Sequence, residues 1–120
     1  MRKILIIGVL SAVVVGLGVW QLNFLQANSY EAFAECLSDE GAVMYGTDRC
    51  EYCKSQKSMF GEAFKAISYV NCDFNADTCQ SKGIIGYPSW FVNDELLGYG
   101  VQTFSLLGEA TGCKVPEEIE

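Results

Sequence analysis

The sequence predicts an α/β domain of four short strands and flanking helices, set behind an N-terminal transmembrane helix. Three observations carry that prediction. No charged side chain occurs between residues 4 and 30. Beyond that stretch, strand-length apolar runs alternate with helical periodicities in the order α, β, α, β, turn, β, β, α. The third is a Cys-x-x-Cys pair, Cys50 and Cys53, which opens one of those helices directly after a strand and a short loop.

The N-terminal segment begins with Met1-Arg2-Lys3 and continues as an apolar run over residues 4–20, extended by Leu22, Phe24 and Leu25. As helix, residues 4–25 measure about 33 Å, enough for the hydrocarbon core of a bilayer. Trp20 falls where an interfacial aromatic belongs. The best cleavage signal, Leu25-Gln26-Ala27, puts a bulky Leu where a small residue is wanted. The reading is an uncleaved signal anchor over residues 1–27 and a globular domain over residues 28–120. A cleaved signal peptide, leaving a secreted or periplasmic domain, is the alternative, and a buried core helix the third. Positive charge ahead of the span keeps that end cytoplasmic and puts the domain outside.

After the span come 6 basic and 15 acidic residues, a net charge of −9. Phosphate would be repelled, which argues against nucleic acid. The chain has no His, so Ser–His and Cys–His hydrolase chemistry is excluded. Six cysteines in 120 residues suit an oxidising compartment, which agrees with the anchor.

Ser29 can cap a helix over 29–39, with Tyr30, Phe33, Ala34 and Leu37 on one stripe and Gly41 ending it. Residues 42–45 read as a buried strand. A helix follows over 50–67, with Met59, Phe60, Ala63, Phe64 and Ile67 inward and Gly61 as a weak point. Residues 68–72 form the second strand, 71–82 a polar loop with room for one helical turn, and 83–88 a turn region. Residues 89–92 and 96–99 pair as a hairpin about Asn93-Asp94. Thr103 caps a last helix that Gly112 stops. Trp90, Phe91, Phe60 and Phe64 read as core, whereas Tyr52 and Tyr87 suit a substrate-facing surface.

At a helix start, unpaired N–H groups and the helix dipole favour a thiolate. Residues i and i+3 share a face, so a second sulfur one turn on can close a disulfide by exchange. Cys50 is then the attacking sulfur and Cys53 the resolving one. No cofactor is needed. Zinc also uses Cys-x-x-Cys, and Cys50, Cys53, Cys72 and Cys79 could supply four thiolates.

The stretches Phe33-Ala34-Glu35-Cys36-Leu37, Met44-Tyr45-Gly46, Cys50 to Cys53, Gln56-Lys57, Phe60-Gly61, Tyr69-Val70-Asn71-Cys72, Gly86-Tyr87-Pro88-Ser89-Trp90 and Thr111-Gly112-Cys113 resemble the thioredoxin-like domain that accompanies bacterial vitamin K epoxide reductase homologues. The resemblance covers roughly residues 30–113. It implies a thioredoxin-like fold, a central four-stranded mixed sheet flanked by helices, with a cis Tyr87–Pro88 bond in a loop against the active sulfur. It implies structural disulfides Cys72–Cys79 and Cys36–Cys113. It also implies a protein that passes oxidising equivalents to cysteine-containing secreted proteins, recharged by a vitamin K epoxide reductase-like membrane protein that reduces quinone. The chain departs from the family at Arg49-Cys50-Glu51-Tyr52-Cys53, where relatives carry Trp-Cys-Pro-His-Cys. Met44 stands where thioredoxin has a buried acid, so proton transfer must use water or another group. Open alternatives are a membrane-supplied reductase or isomerase, a non-catalytic disulfide-stapled binding module, a metal chaperone, and a relay role for Cys72–Cys79.

Overall fold

The computed structural model describes residues 2–117; Met1 and the last three residues of the 28–120 segment lie outside them. Strands β1 (Ala42–Gly46), β2 (Ser68–Asn71), β3 (Ser89–Val92) and β4 (Glu95–Tyr99) form one sheet in the order β2-β1-β3-β4. β1 is parallel to β2 and antiparallel to β3, and β3 is antiparallel to β4. A parallel pair needs a crossover, which residues 51–66 supply. The β3–β4 hairpin turns at Asn93 and Asp94, with φ of 49° and 67°. Two positive φ values in a row give the primed turn whose twist matches the strands. This mixed sheet and its flanking helices make the thioredoxin-like fold that the sequence predicts.

Both faces of the sheet are covered, which explains why β1 is apolar without alternation. On one face Met44 and Trp90, cross-strand partners, pack with Phe33, Leu37, Phe60 and Leu107. On the other, Tyr45 meets Phe91 edge to face at 5.2 Å, beside Cys72 and Cys79. Phe33, Ala34 and Leu37 come from the predicted apolar stripe, and all three are buried.

Three elements differ from the sequence reading. The N-terminal apolar segment and the 29–39 helix are one helix, α1 (Arg2–Asp39), so Ser29 lies inside a helix and does not start one. No Gly or Pro interrupts residues 19–40, and nothing in that stretch forces a break. Second, the 50–67 helix is two pieces, α2 (Glu51–Phe60) and a 3-10 helix (Gly61–Ala66). Gly61 takes φ of 57°, which few other residues adopt, and its N–H returns to the Lys57 carbonyl. The break turns Ala63 inward and leaves Met59 at the surface. Third, the one helical turn for which the polar loop left room extends to a six-residue helix, α3 (Ala76–Ser81). The last helix, α4 (Phe104–Thr111), follows the prediction: the Thr103 hydroxyl accepts the Leu106 N–H at 3.2 Å, and Gly112 closes it in the left-handed region.

Two disulfides staple the domain. Cys36 in α1 bonds to Cys113 after α4, and Cys72 after β2 bonds to Cys79 in α3. Ser38 adds a third tie between segments, donating to the Ala66 carbonyl at 2.7 Å and accepting the Ser68 N–H at 2.8 Å. In loop-closure entropy the two bridges differ, because they span 77 and 7 residues of sequence. Paired alanines at Cys36 and Cys113 are expected to lower the unfolding free energy by about 4.5 kcal/mol, and at Cys72 and Cys79 by about 2.5 kcal/mol. Denaturant titration of the full chain in detergent reads both; the opposite ranking would refute the loop argument.

Candidate functional site

The site is built where β1 stops. Gly46 ends the strand, Thr47, Asp48 and Arg49 form the loop, and Cys50 takes the N-cap position of α2 with extended backbone. An N-cap residue normally offers an oxygen to the free N–H groups of the first turn. Here sulfur does so: Cys50 Sγ accepts the Cys53 N–H at 3.1 Å. Cys50 is half-buried and Cys53 is fully buried; both are free thiols.

The two thiols therefore sit in different surroundings. Burial pushes Cys53 up to about 12, and its hydrogen bond to Cys50 and the Cys50 charge push the same way. A backbone hydrogen bond from Thr47 and the Lys57 charge oppose these effects without offsetting them. Close packing of the Cys53 sulfur depends on Gly46: a Cβ there would come within 2.9 Å of it. The same position lies 3.3 Å from the Tyr69 ring and 3.4 Å from its hydroxyl. Tyr69, in β2, is therefore the neighbour of Cys53 beneath the strand end, and its hydroxyl is buried. Burial, and then the charges of Cys53, Asp48, Asp73 and Cys50, push this phenol up to about 12. Lys57 lies over the Tyr69 ring, 4.2 Å from its centre.

The charges beside Cys50 are paired. Glu51 meets Lys54 at 3.0 Å and Arg49 meets Asp73 at 3.5 Å. Asp73 Oδ2 also accepts the Asp48 N–H at 3.2 Å, which ties the Cys50 loop to the segment after β2. Exposed pairs of this kind contribute little to stability.

Tyr87 and Pro88 precede β3, and the peptide between them is cis. Tyr45 pairs with Ser89 across the sheet, so Pro88 lies at the end of the sheet from which the Cys50 loop departs. Tyr52, in the first turn of α2, is 68% exposed, and Tyr87 is 37% exposed. Cys72 and Cys79 are bonded to each other and buried, which leaves two of the four thiols that the zinc reading required. Among the described residues no cluster of three or more Cys, Asp or Glu side chains has the arrangement of a metal site.

Fold and site together define a thioredoxin-like domain with a Cys-x-x-Cys pair at a helix start. Among characterised proteins the chain is similar to the thiol-disulfide oxidoreductase LTO1 of Arabidopsis thaliana, at 36% identity over 98 residues. The match covers 74% of this chain and 26% of that protein, so the chain spans about a quarter of its relative's length. Among solved structures it is similar to a thioredoxin from Halobacterium salinarum, with TM-score 0.47, 20% identity, and coverage of 72% and 85% of the two chains. A glutaredoxin from Populus tremula x tremuloides follows, with TM-score 0.40, 17% identity, and coverage of 71% and 84%. No described protein family matches the chain.

Sequence reasoning missed four residues that shape the site. Gly46 follows the strand read over 42–45, Tyr69 falls in the strand read over 68–72, and Gln56 and Lys57 enter only through the family resemblance; the sequence assigns none of the four a part in the site. Gln56 is fully buried. Its Oε1 accepts from Trp90 Nε1 at 3.1 Å and from the Gln102 N–H at 2.7 Å, and its Nε2 donates to the Gln102 carbonyl at 3.1 Å. A signal was available: Gln56 lies one turn after Cys53 on the same face of α2.

The contrast in burial makes a prediction. At pH 9 about a thousandth of Cys53 is thiolate, against half for an ordinary thiol of pKa 9.0. Iodoacetamide on the reduced, native full chain at pH 7–9 is expected to modify Cys50 alone. Equal labelling of both thiols by peptide mapping would contradict the buried, protonated state of Cys53.

Proposed function

We propose that this chain is a membrane-anchored thiol–disulfide oxidoreductase that exchanges disulfides with secreted proteins on the extracytoplasmic side. The observation that carries the reading is the asymmetry of the two thiols: Cys50 half-exposed as an N-cap, Cys53 buried one turn behind it with its N–H on the Cys50 sulfur. Such a pair suits a client attacking, or being attacked by, Cys50 while Cys53 is shielded from anything but Cys50. Similarity to a protein named as a thiol-disulfide oxidoreductase supports the same chemistry.

In the oxidising direction a client thiolate attacks Cys50 of the closed disulfide and the electron pair passes to Cys53. A second client thiolate then attacks the client's own sulfur in the mixed disulfide. Cys50 leaves, and the client departs oxidised. The enzyme pair has gained two electrons and two protons. A vitamin K epoxide reductase-like membrane partner would take them on to quinone and restore the disulfide. Tyr52 and Tyr87 are the proposed client-facing surface; Pro88, expected beside them, has a fully buried side chain and can only shape the loop that carries Tyr87. Cys36–Cys113 and Cys72–Cys79 remain structural, because both cysteines of the second pair are buried.

In cells, Cys53→Ala is expected to accumulate mixed disulfides with secreted proteins, and Cys50→Ser to form none. Trapping by the Cys50 variant alone would reverse the roles.

The direction is read from the reduction potential. Where relatives place a His, this chain has Tyr52, so the reduced form lacks that positive charge beside the sulfur. The expected potential lies between the strong periplasmic oxidant and thioredoxin, at about −150 to −230 mV. Equilibration of the full chain with glutathione buffers measures it. A value below about −260 mV would favour the reductase.

Residues 2–39 form a helix long and apolar enough to cross a membrane, a test that a signal sequence also passes. We expect the protein to stay with membranes after carbonate washing and to keep its first 25 residues. A mature N-terminus near Asn28 would show a cleaved signal.

A further inference from the structure

We propose that the Tyr69 hydroxyl is a further catalytic group, the donor that hydrogen-bonds the Cys53 thiolate whenever exchange produces it. The proposal rests on the exchange chemistry assigned above to Cys50 and Cys53.

Three observations converge on it. Among the described residues, Tyr69 Oη is the one buried side-chain oxygen or nitrogen without a hydrogen-bond partner. A buried hydroxyl left unsatisfied is costly, and one that persists calls for a reason. Second, it lies where it can act. The missing Cβ of Gly46 leaves a point 2.9 Å from Cys53 Sγ and 3.4 Å from Tyr69 Oη, so sulfur and hydroxyl border one small space. Third, among the described residues no carboxylate lies in the core beside the sulfur. Met44 is fully buried in β1, and among the described residues the buried polar side chains are Gln56, Ser89 and Gln102, so no buried carboxylate is there to serve Cys53 as a proton partner.

The groups facing this space are few. From α2 come Cys50, Cys53 and Lys57, whose ammonium lies over the Tyr69 ring. Asp48 stands in the loop after β1 and Asp73 in the loop after β2, and both oppose ionisation of Tyr69. Tyr69 and Cys53 are each pushed up to about 12. At neutral pH the phenol therefore keeps its proton and can only donate to a thiolate. When a client thiolate attacks Cys50, the Cys50–Cys53 bond breaks and its electron pair goes to Cys53 Sγ. The thiolate forms in a buried place, with the Thr47 backbone and the Tyr69 hydroxyl as donors. A proton from solvent then converts it to the thiol. In the reverse step the same hydrogen bond stabilises Cys53 as it deprotonates to attack the mixed disulfide.

The test uses the reduced full chain in detergent and 5,5′-dithiobis(2-nitrobenzoate) in stopped flow. Cys50 attacks the reagent in a phase that depends on reagent concentration. Cys53 then closes the ring in a second phase that does not, and two thionitrobenzoates are released. In Tyr69→Phe the second phase is expected to slow about tenfold, the worth of one hydrogen bond to a charged group. Loss of a donor to the thiolate raises the Cys53 pKa, so the rate–pH curve moves about one unit to higher pH. The first phase is expected to stay unchanged. The reduction potential at pH 7 should also hold, because Cys53 is a thiol there with or without Tyr69. Thermal stability should hold or rise, since the variant removes an unsatisfied group. An unchanged second phase would overturn the proposal and leave the exchange reading intact. A lowered melting temperature with both phases slowed would also overturn it, in favour of a packing role. Absence of a concentration-independent phase in the unsubstituted protein would overturn the exchange reading itself.

Discussion

At the end of β1 the sulfur of Cys53 fills the space that a side chain at residue 46 would need. Any Cβ there would stand 2.9 Å from it, closer than packed atoms allow. The rest of the site follows from that contact. It brings the first turn of α2 down onto the strand end and buries Cys53. It leaves Cys50, three residues earlier and at the helix start, nearer to solvent. It also sets the sulfur beside Tyr69, because β2 runs parallel to β1 and Tyr69 pairs with Met44, two residues before the glycine. One missing methyl thus separates the two thiols into an accessible sulfur and a hidden one, the division that two-step exchange requires.

Contact at one sulfur would not by itself hold a ten-residue helix in register. Gln56 provides the second point. It reaches through the core to Trp90 in β3 and to both backbone groups of Gln102, ahead of α4. Each of its polar groups is used, so a fully buried amide is tolerated. An apolar residue could fill the same volume, but it would leave the Trp90 and Gln102 donors unpaired. α2 is therefore fixed to the sheet at Cys53 and clamped to β3 and the α4 approach one turn later. Beyond that, at Gly61, the helix breaks without disturbing the site.

Much of this was legible in the sequence, and the limits are physical. Strand and helix order was readable because Phe33, Ala34, Leu37, Trp90 and Leu107 obey one period or the other and supply most of the core. The caps at Thr103 and Gly112, and the Asn93-Asp94 turn, were readable because their chemistry is local. The helix break at Gly61 was visible as a weak point and not as a break, since propensity costs about 1 kcal/mol and tertiary packing decides. The continuity of α1 was missed because Ser29 looks like a cap, although a serine inside a helix costs little. Gln56, Gly46 and Tyr69 were illegible for a common reason. Their roles arise between elements far apart in sequence: residue 46 against 53 and 69, and residue 56 against 90 and 102. No periodicity encodes such meetings.

That continuity constrains how the domain could work at a membrane. α1 supplies both the apolar stretch and three core side chains, and Phe33 follows Leu25 by only eight residue steps of helix, about 12 Å. Cys36, one turn further, is bonded to Cys113, so the helix is joined covalently to the far end of the domain. A domain on a long flexible tether samples a large volume and meets partners by diffusion. In the proposed anchored arrangement, a domain continued from its apolar segment in one helix would sample a smaller volume. Effective concentration would then favour partners confined to the same membrane, as it does for any second binding event with restricted geometry. The proposed secreted clients would reach such a site by their own motion. For the proposed recharging step, a membrane-embedded partner would suit that arrangement better than a diffusing one, because only the former would be confined with the domain.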